Sequence, residues 1–321
     1  MKLPPPDLPL VFYQQDEGIF SYAKPVIRSE DSHRSRLWIV YSFKWDNLKK
    51  PTFGVDRMRL CKGSSVIQSV GDWFRLAAPK KGAVQWKDGR SAKELAKAWC
   101  DGKDRPSPPE VFLRLLAPLV NADQLASAVG WPEHQVPIDD LPGEPPNIDL
   151  AIVSDGLLGR TAICVEAKAD ESFGEYTLAK HDVAATQIEK GIKTGALKRL
   201  LHLEENLLPE PGLGLPGRAE IRYQLLTGTA AALALAKEHQ ARVAVFVVHE
   251  FSFSGHVDEK KLKQNKIDLD CFVMRLTRGS TTSLQEDVLF GPLSPPSQKS
   301  SWCGVSLYIG KVKTTGELAL N

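Results

Sequence analysis

The run ARVAVFVVHEF, residues 241–251, constrains the architecture more than any other stretch of the 321-residue chain. It is apolar at nearly every position, so it lacks the alternation of a strand with one wet face. It is also too short to span a bilayer, as is the other strongly apolar stretch, TGTAAALALA. A strand buried on both faces needs a covering layer on each side. The preceding RAEIRYQLLTGTAAALALAKEH is strongly helical despite Gly228 and makes a crossover into that strand. Further upstream, apolar runs around 147–154 and 161–168 flank SDGLLGR, whose Asp155, Gly156 and Gly159 form a turn. Before them, HQVPIDDLPGEPP reads as a strand followed by a turn. The order helix, strand, strand, strand, helix, strand predicts an α/β fold, a mixed β-sheet flanked by helices.

The remaining segments fit around that core. GRSAKELAKAWCDG reads as a helix with Ser91 as N-cap and Glu94 completing a capping box. PSPPEVFLRLLAPLV reads as a second helix, with proline in its first turn and Glu110 at the favourable dipole end. A polar, helical insertion covers about 171–217. DEKKLKQNK is a basic segment, DLDCFVMRLTRG a helix and VSLYIGKV a late strand. Residues 1–65 differ in style, with the strand-like LWIVYSFKW among polar, Pro- and Gly-punctuated segments. The reading is a small β-rich N-terminal portion, 1–65, and a main domain, 66–321.

A formal net charge of +2 neither proposes nor excludes a polyanionic partner. The basic stretches PKKGAVQWKDGR and DEKKLKQNK read as ordinary solvated faces. Five cysteines, odd in number and with no CxxC pair, argue against a disulfide framework and a thiolate zinc site. That usage, with no signal-peptide pattern and no membrane span, points to the cytoplasm. No GxSxG elbow is present, and GLGLPG lacks the preceding strand of a dinucleotide loop.

Three charges interrupt the apolar strands of the hairpin: Asp149 in the first, Glu166 and Lys168 in the second. Side chains two apart on a strand share a face, so Glu166 and Lys168 point the same way. If Val153 lies opposite Ala162, Asp149 lies opposite Glu166, and the two carboxylates converge; a slip of one residue separates them. Converging carboxylates repel by roughly 4 kcal/mol at 4 Å and an effective dielectric of 20. A shared proton, the lysine or a divalent cation must relieve this, and carboxylate oxygens with water suit Mg²⁺ or Mn²⁺. The competing explanation is a solvent-facing Glu166–Lys168 salt bridge of little worth.

NID followed by VEAK resembles the motif of the PD-(D/E)xK nuclease superfamily, which includes many restriction endonucleases and DNA repair nucleases. The resemblance implies a restriction-endonuclease-like α-β-β-β-α-β core and a metal-dependent nuclease hydrolysing phosphodiester bonds, with DNA the default nucleic-acid partner. By motif position, Asp149 and Glu166 would be ligands for Mg²⁺ or Mn²⁺, and Lys168 the catalytic lysine. Ile148 stands where the motif name has proline, a position that varies across the superfamily. A closer resemblance is to an uncharacterised bacterial family with this core, through DWFRLAAP, GRSAKELAKAW, PPEV, PEHQVPI, VEAKADESFG, RYQLLTGTAAAL and VSLYIGKV. It covers roughly 66–313 and carries no activity to transfer.

Active members of the superfamily often take another acid from the first core helix; Glu94, Glu110 and Glu133 are the candidates here. Capping explains Glu94 and the helix dipole Glu110, while Glu133 lies just before the first core strand and nothing ranks it; each is more often structural than catalytic. Some members place a glutamine near the site on the helix after the motif, where Gln224 stands, though helix packing or a surface amide is the commoner role. Duplex-cutting members often need two active sites, which allows a homodimer. The alternative function is a catalytically silent module of the same fold that binds a protein or nucleic acid, in a defence or toxin-related setting.

Overall fold

The computed structural model describes residues 58–102, 105–210, 212–254, 258–294 and 302–317, with the backbone of three earlier strands. In chain order the strands are β1 (Val11–Gln15), β2 (Ile19–Val26), β3 (Leu37–Lys44), β4 (Arg59–Lys62), β5 (Ser65–Ile67) and β6 (Val129–Gln135). They continue with β7 (Asn147–Ser154), β8 (Thr161–Lys168), β9 (Val243–Ser254), β10 (Phe290–Leu293) and β11 (Ser306–Glu317). The helices are α1 (Val70–Leu76), α2 (Ser91–Cys100), α3 (Glu110–Leu116), α4 (Ala122–Ala126), α5 (Thr177–Glu189), α6 (Ala196–Leu207), α7 (Tyr223–Glu238) and α8 (Glu259–Leu276). The strands make a mixed sheet in the order β3-β2-β1-β10-β11-β9-β8-β7-β6-β4-β5. At its centre β8, β9 and β11 run parallel, while β6, β7 and β8 meander antiparallel.

Because successive strand residues face opposite ways, a strand apolar at every position feeds two cores. All eight residues of β8 are buried, and so is β9 from Val243 to Phe251. On one face Trp73, Trp99, Phe112 and Leu115 from α1–α3 cover Ile163, Val165, Val245 and Val247. On the other, Leu203, Leu225, Leu233 and Phe272 from α6–α8 cover Ala162, Cys164, Ala244 and Phe246. The fold is α/β, with helices on both faces of the mixed sheet.

Gly228 has a packing reason. A Cβ there would lie 2.5 Å from the Phe246 ring, so α7 sits closer to β9 than any side chain at 228 would allow. Gly228→Ala is expected to lower stability by ~1–3 kcal/mol, overpacking outweighing the ~1 kcal/mol gained in helix propensity. Thermal denaturation reads this, and adding Phe246→Leu should recover part of the loss by making room.

Several local expectations are corrected. The first core strand is Val129–Gln135, so Glu133 lies inside it, and the chain from Val136 onward is the connection to β7. The basic segment and the helix after it form the single helix α8, capped by the Asp258 side chain. Ser91 is the first residue of α2 and no capping box forms; Glu94 instead accepts the Gly89 N–H at 2.8 Å. No disulfide joins any of the five cysteines. Among the described residues no helix is long and apolar enough to cross a membrane.

Candidate active site

The hairpin register decides which charges meet. Val153 pairs with Ala162 and Leu150 with Val165, so the next position brings Asp149 opposite Glu166. On the other side of β7 the ladder runs from Pro132–Leu150 to His134–Ile148, which sets Glu133 opposite Asp149. Glu133 itself drops out of the ladder, with φ at +48°. A non-glycine residue in that left-handed region costs energy and persists only where its surroundings hold it. Here Lys62 of β4 donates to the Glu133 carbonyl at 2.5 Å and to the Pro132 carbonyl at 3.2 Å, and Asn147 donates to the Glu133 carboxylate. Three carboxylates on three adjacent strands therefore stand in one row.

The row passes from half-exposed to buried. Glu133 and Asp149 are partly accessible and Asn147 beside them is exposed, whereas Glu166 and Lys168 retain only 1% and 6% exposure. Asp149 Oδ2 accepts the Ala167 N–H at 2.7 Å. Glu166 Oε1 accepts from Lys168 Nζ and from Gln224 Nε2, both at 2.6 Å. Among the described residues, Asp149 Oδ1, Glu166 Oε2 and Glu133 Oε1 take part in no hydrogen bond. One oxygen of each carboxylate is thus anchored and the other is left over.

The electrostatics follow from burial and crowding. Burial, and then the charge on Glu166, push Asp149 up to about 8. Burial, and then Asp149, push Glu133 up to about 7. Glu166 is raised as well, by burial against the pull of Lys168. Burial would lower Lys168, but Glu166 and Asp149 more than offset it and hold the ammonium above the ordinary lysine range. At neutral pH Asp149 retains its proton, which a divalent cation would displace.

The donor set fits a hard cation. Carboxylate oxygens with water are what Mg²⁺ takes, and one or two protein carboxylates commonly suffice. Among the described residues no three acidic, histidine or cysteine side chains already surround one point. Asp149 and Glu166 would therefore hold the ion with water and substrate oxygens completing the shell.

The other sequence candidates separate. Glu94 is buried but occupied by the Gly89 N–H and Lys97, and Glu110 is exposed beside Arg114. Of the three upstream acids, the structure brings only Glu133 to Asp149. Asp170 pairs with Arg90 and Glu175 with Lys180, while Glu171 accepts the Ala169 N–H and lies near enough for its charge to act on Asp149, Glu166 and Lys168. His249 is a core residue, bonded to Thr314 and stacked on Phe251, and burial pushes its imidazole down to about 3. Gln224, which helix packing could have explained, is instead a direct partner of Glu166. Lys62 carried no signal in the sequence, and Asn147 carried only its place beside the motif.

A family model, the domain of unknown function DUF6946, matches residues 66–316, most of the chain and all of this site except Lys62. The chain belongs to the DUF6946 family. No curated protein and no solved structure matches it. The DUF6946 region begins within β5, takes in both cores apart from Met58 and Leu60, and ends one residue short of the end of β11. The acidic row, its lysine and Gln224 are therefore parts of the DUF6946 domain itself.

Proposed function

We propose that this protein is a metal-dependent nuclease of the PD-(D/E)xK type, hydrolysing phosphodiester bonds of nucleic acid, with DNA as substrate. The observation that carries the reading is the row Glu133–Asp149–Glu166 with Lys168 on the same strand as Glu166. The order α4, β6, β7, β8, α7, β9, with α5 and α6 inserted, is compatible with the superfamily's core. Asp149 and Glu166 would hold Mg²⁺ or Mn²⁺, with Glu133 at the exposed end of the row. The ion would polarise a phosphoryl oxygen and offset charge on the leaving oxygen. Gln224 and Lys168 both hold Glu166 Oε1, which leaves Oε2 available to the ion. Lys168 stays protonated between two carboxylates, which suits a cation that stabilises transition-state charge rather than a base. Cysteines without disulfides suit a reducing cytoplasm, and duplex cleavage would bring two copies together as a homodimer.

One observation favours the silent binding module. Lys168 and Glu166 form a closed pair with side chains only 8% and 2% exposed. Calorimetric titration with Mg²⁺ or Mn²⁺ distinguishes the two readings, alongside DNA cleavage, for wild type and an Asp149→Asn/Glu166→Gln variant. Binding and cleavage that both vanish in the variant support the nuclease. Cleavage that survives in the variant overturns it, and DNA binding without any cation dependence supports the module.

A further inference from the structure

The charged face of the sheet does not stop at Lys168. In the parallel ladder Lys168 pairs with Glu250 of β9, and Glu250 pairs with Lys313 of β11. One step back, Glu166 pairs with Val248, and Val248 with Lys311. Paired residues of parallel strands present their side chains to the same face, so both lysines of β11 share the face of the catalytic row. The row runs from carboxylates on β6–β8 to ammonium groups on β11. It lies toward the C-terminal ends of β8, β9 and β11, where ligands of parallel sheets bind.

The charge at the β11 end is uneven. Glu250, with its side chain 6% exposed, is shared between Lys311 at 2.9 Å and Lys313 at 3.2 Å. Among the described residues the other acid within reach, Glu286, comes only to 3.7 Å of Lys311 and is itself half exposed. Burying a lysine is costly unless its charge is matched. Lys311 is buried, with 9% exposure, and takes most of that compensation, while Lys313 remains 29% exposed. One buried carboxylate thus orders two cations and leaves the outer one able to take a further anion.

We propose that Lys311 and Lys313, held by Glu250, form a second phosphate subsite for the nucleic-acid backbone, two strands from the catalytic acids. The proposal rests on the nuclease reading and deepens it. Strands spaced by about 4.8 Å put the subsite roughly 10 Å from Glu166, beyond the reach of a single phosphodiester. The substrate is then a polynucleotide whose backbone crosses the strands, with the scissile phosphate over β7–β8 and a neighbouring one over β11.

The test uses the full-length protein, a fluorescently labelled DNA duplex read by anisotropy over a salt series, and a small phosphodiester, bis(p-nitrophenyl) phosphate. Lys313→Gln is the variant of choice, because Lys311 continues to pair with Glu250. Loss of one phosphate contact should weaken duplex binding ~10-fold near 0.1 M salt and lower the log–log salt slope by about 1. Lys313→Arg should restore both, and hydrolysis of the small diester should be the same in all three proteins. Unchanged duplex affinity and slope in Lys313→Gln would overturn the subsite, as would equal losses on duplex and small diester, or no duplex binding by wild type. Lysine-dependent binding without cleavage of either substrate would sink the nuclease reading and keep the subsite. Cleavage with lysine-independent binding does the reverse.

Discussion

Asp149→Asn is expected to make the metal-free protein more stable at pH 7, by roughly 2–4 kcal/mol, while removing divalent-cation binding. The gain comes from a carboxyl whose pKa is raised from 3.8 to about 8 on folding. Such a group binds an extra proton in the folded state. Wild-type stability should therefore fall as pH rises from about 4 to about 8, and the contribution is fully present only below the unfolded value. Asparagine keeps an oxygen for the Ala167 N–H and carries no charge to neutralise. It also relieves Glu133, whose rise to about 7 is due in part to Asp149. Urea denaturation from pH 5 to pH 8 checks this: wild type should lose stability steadily, and the variant, which keeps the buried Glu133 and Glu166, should lose less. A flat wild-type profile would refute the raised carboxyl. With Mg²⁺ the ranking should reverse, because only wild type binds the ion. Cation binding must displace the proton, so wild-type affinity should rise up to ~10-fold per pH unit until about pH 8.

Lys168→Met should cost roughly 3–5 kcal/mol of stability, because it leaves Glu166 buried without its cation. Glu166 keeps only the Gln224 bond, at 1% exposure. The loss should be larger at high pH, where Glu166 cannot take up a proton. Cleavage should fall by at least ~10²-fold, the scale for removing a positioned group that stabilises transition-state charge. Stability and activity are separated by Lys168→Met/Glu166→Gln, which removes the charge on both partners. Most of the stability should return, since replacing both halves of a buried pair is often near neutral. None of the cleavage should return. A Lys168→Met protein that cleaves at the wild-type rate would overturn the role given to the lysine.

These two variants share a logic. The acidic row is held at a cost in the metal-free fold, and each carboxylate is anchored through one oxygen only. A purely structural ion pair would gain stability from its partners. Here Asp149 and Glu133 lose it, which is the pattern expected of residues placed for a ligand.

Much of the architecture was legible because its signals are local. The nearly continuous apolar run at 243–251 required two covering layers, and the structure has both. The E-x-K spacing put Glu166 and Lys168 on one face through strand periodicity alone, whatever the strand paired with. The capping box at Ser91 failed because the chain turned helical one residue early and gave Glu94 the Gly89 N–H instead. The first core strand was missed for a similar reason: Gly130 and Pro132 weaken the strand pattern of 129–135, and pairing to β4 and β7 supplies what propensity lacks.

What the sequence determined by itself, then, was the layered α/β plan and the shared face of Glu166 and Lys168. Both follow from a period of two along one strand. Only the tertiary structure decided that Asp149 meets Glu166, because a slip of one residue would have turned it to the other face. It alone brought Glu133 into the row, through a break in the ladder gripped by a lysine 71 positions away. Gln224, 58 positions from Glu166, and Lys313, on a strand that enters the sheet last, arrive by the same route. Contacts between distant segments depend on register and crossover, and no local periodicity encodes either.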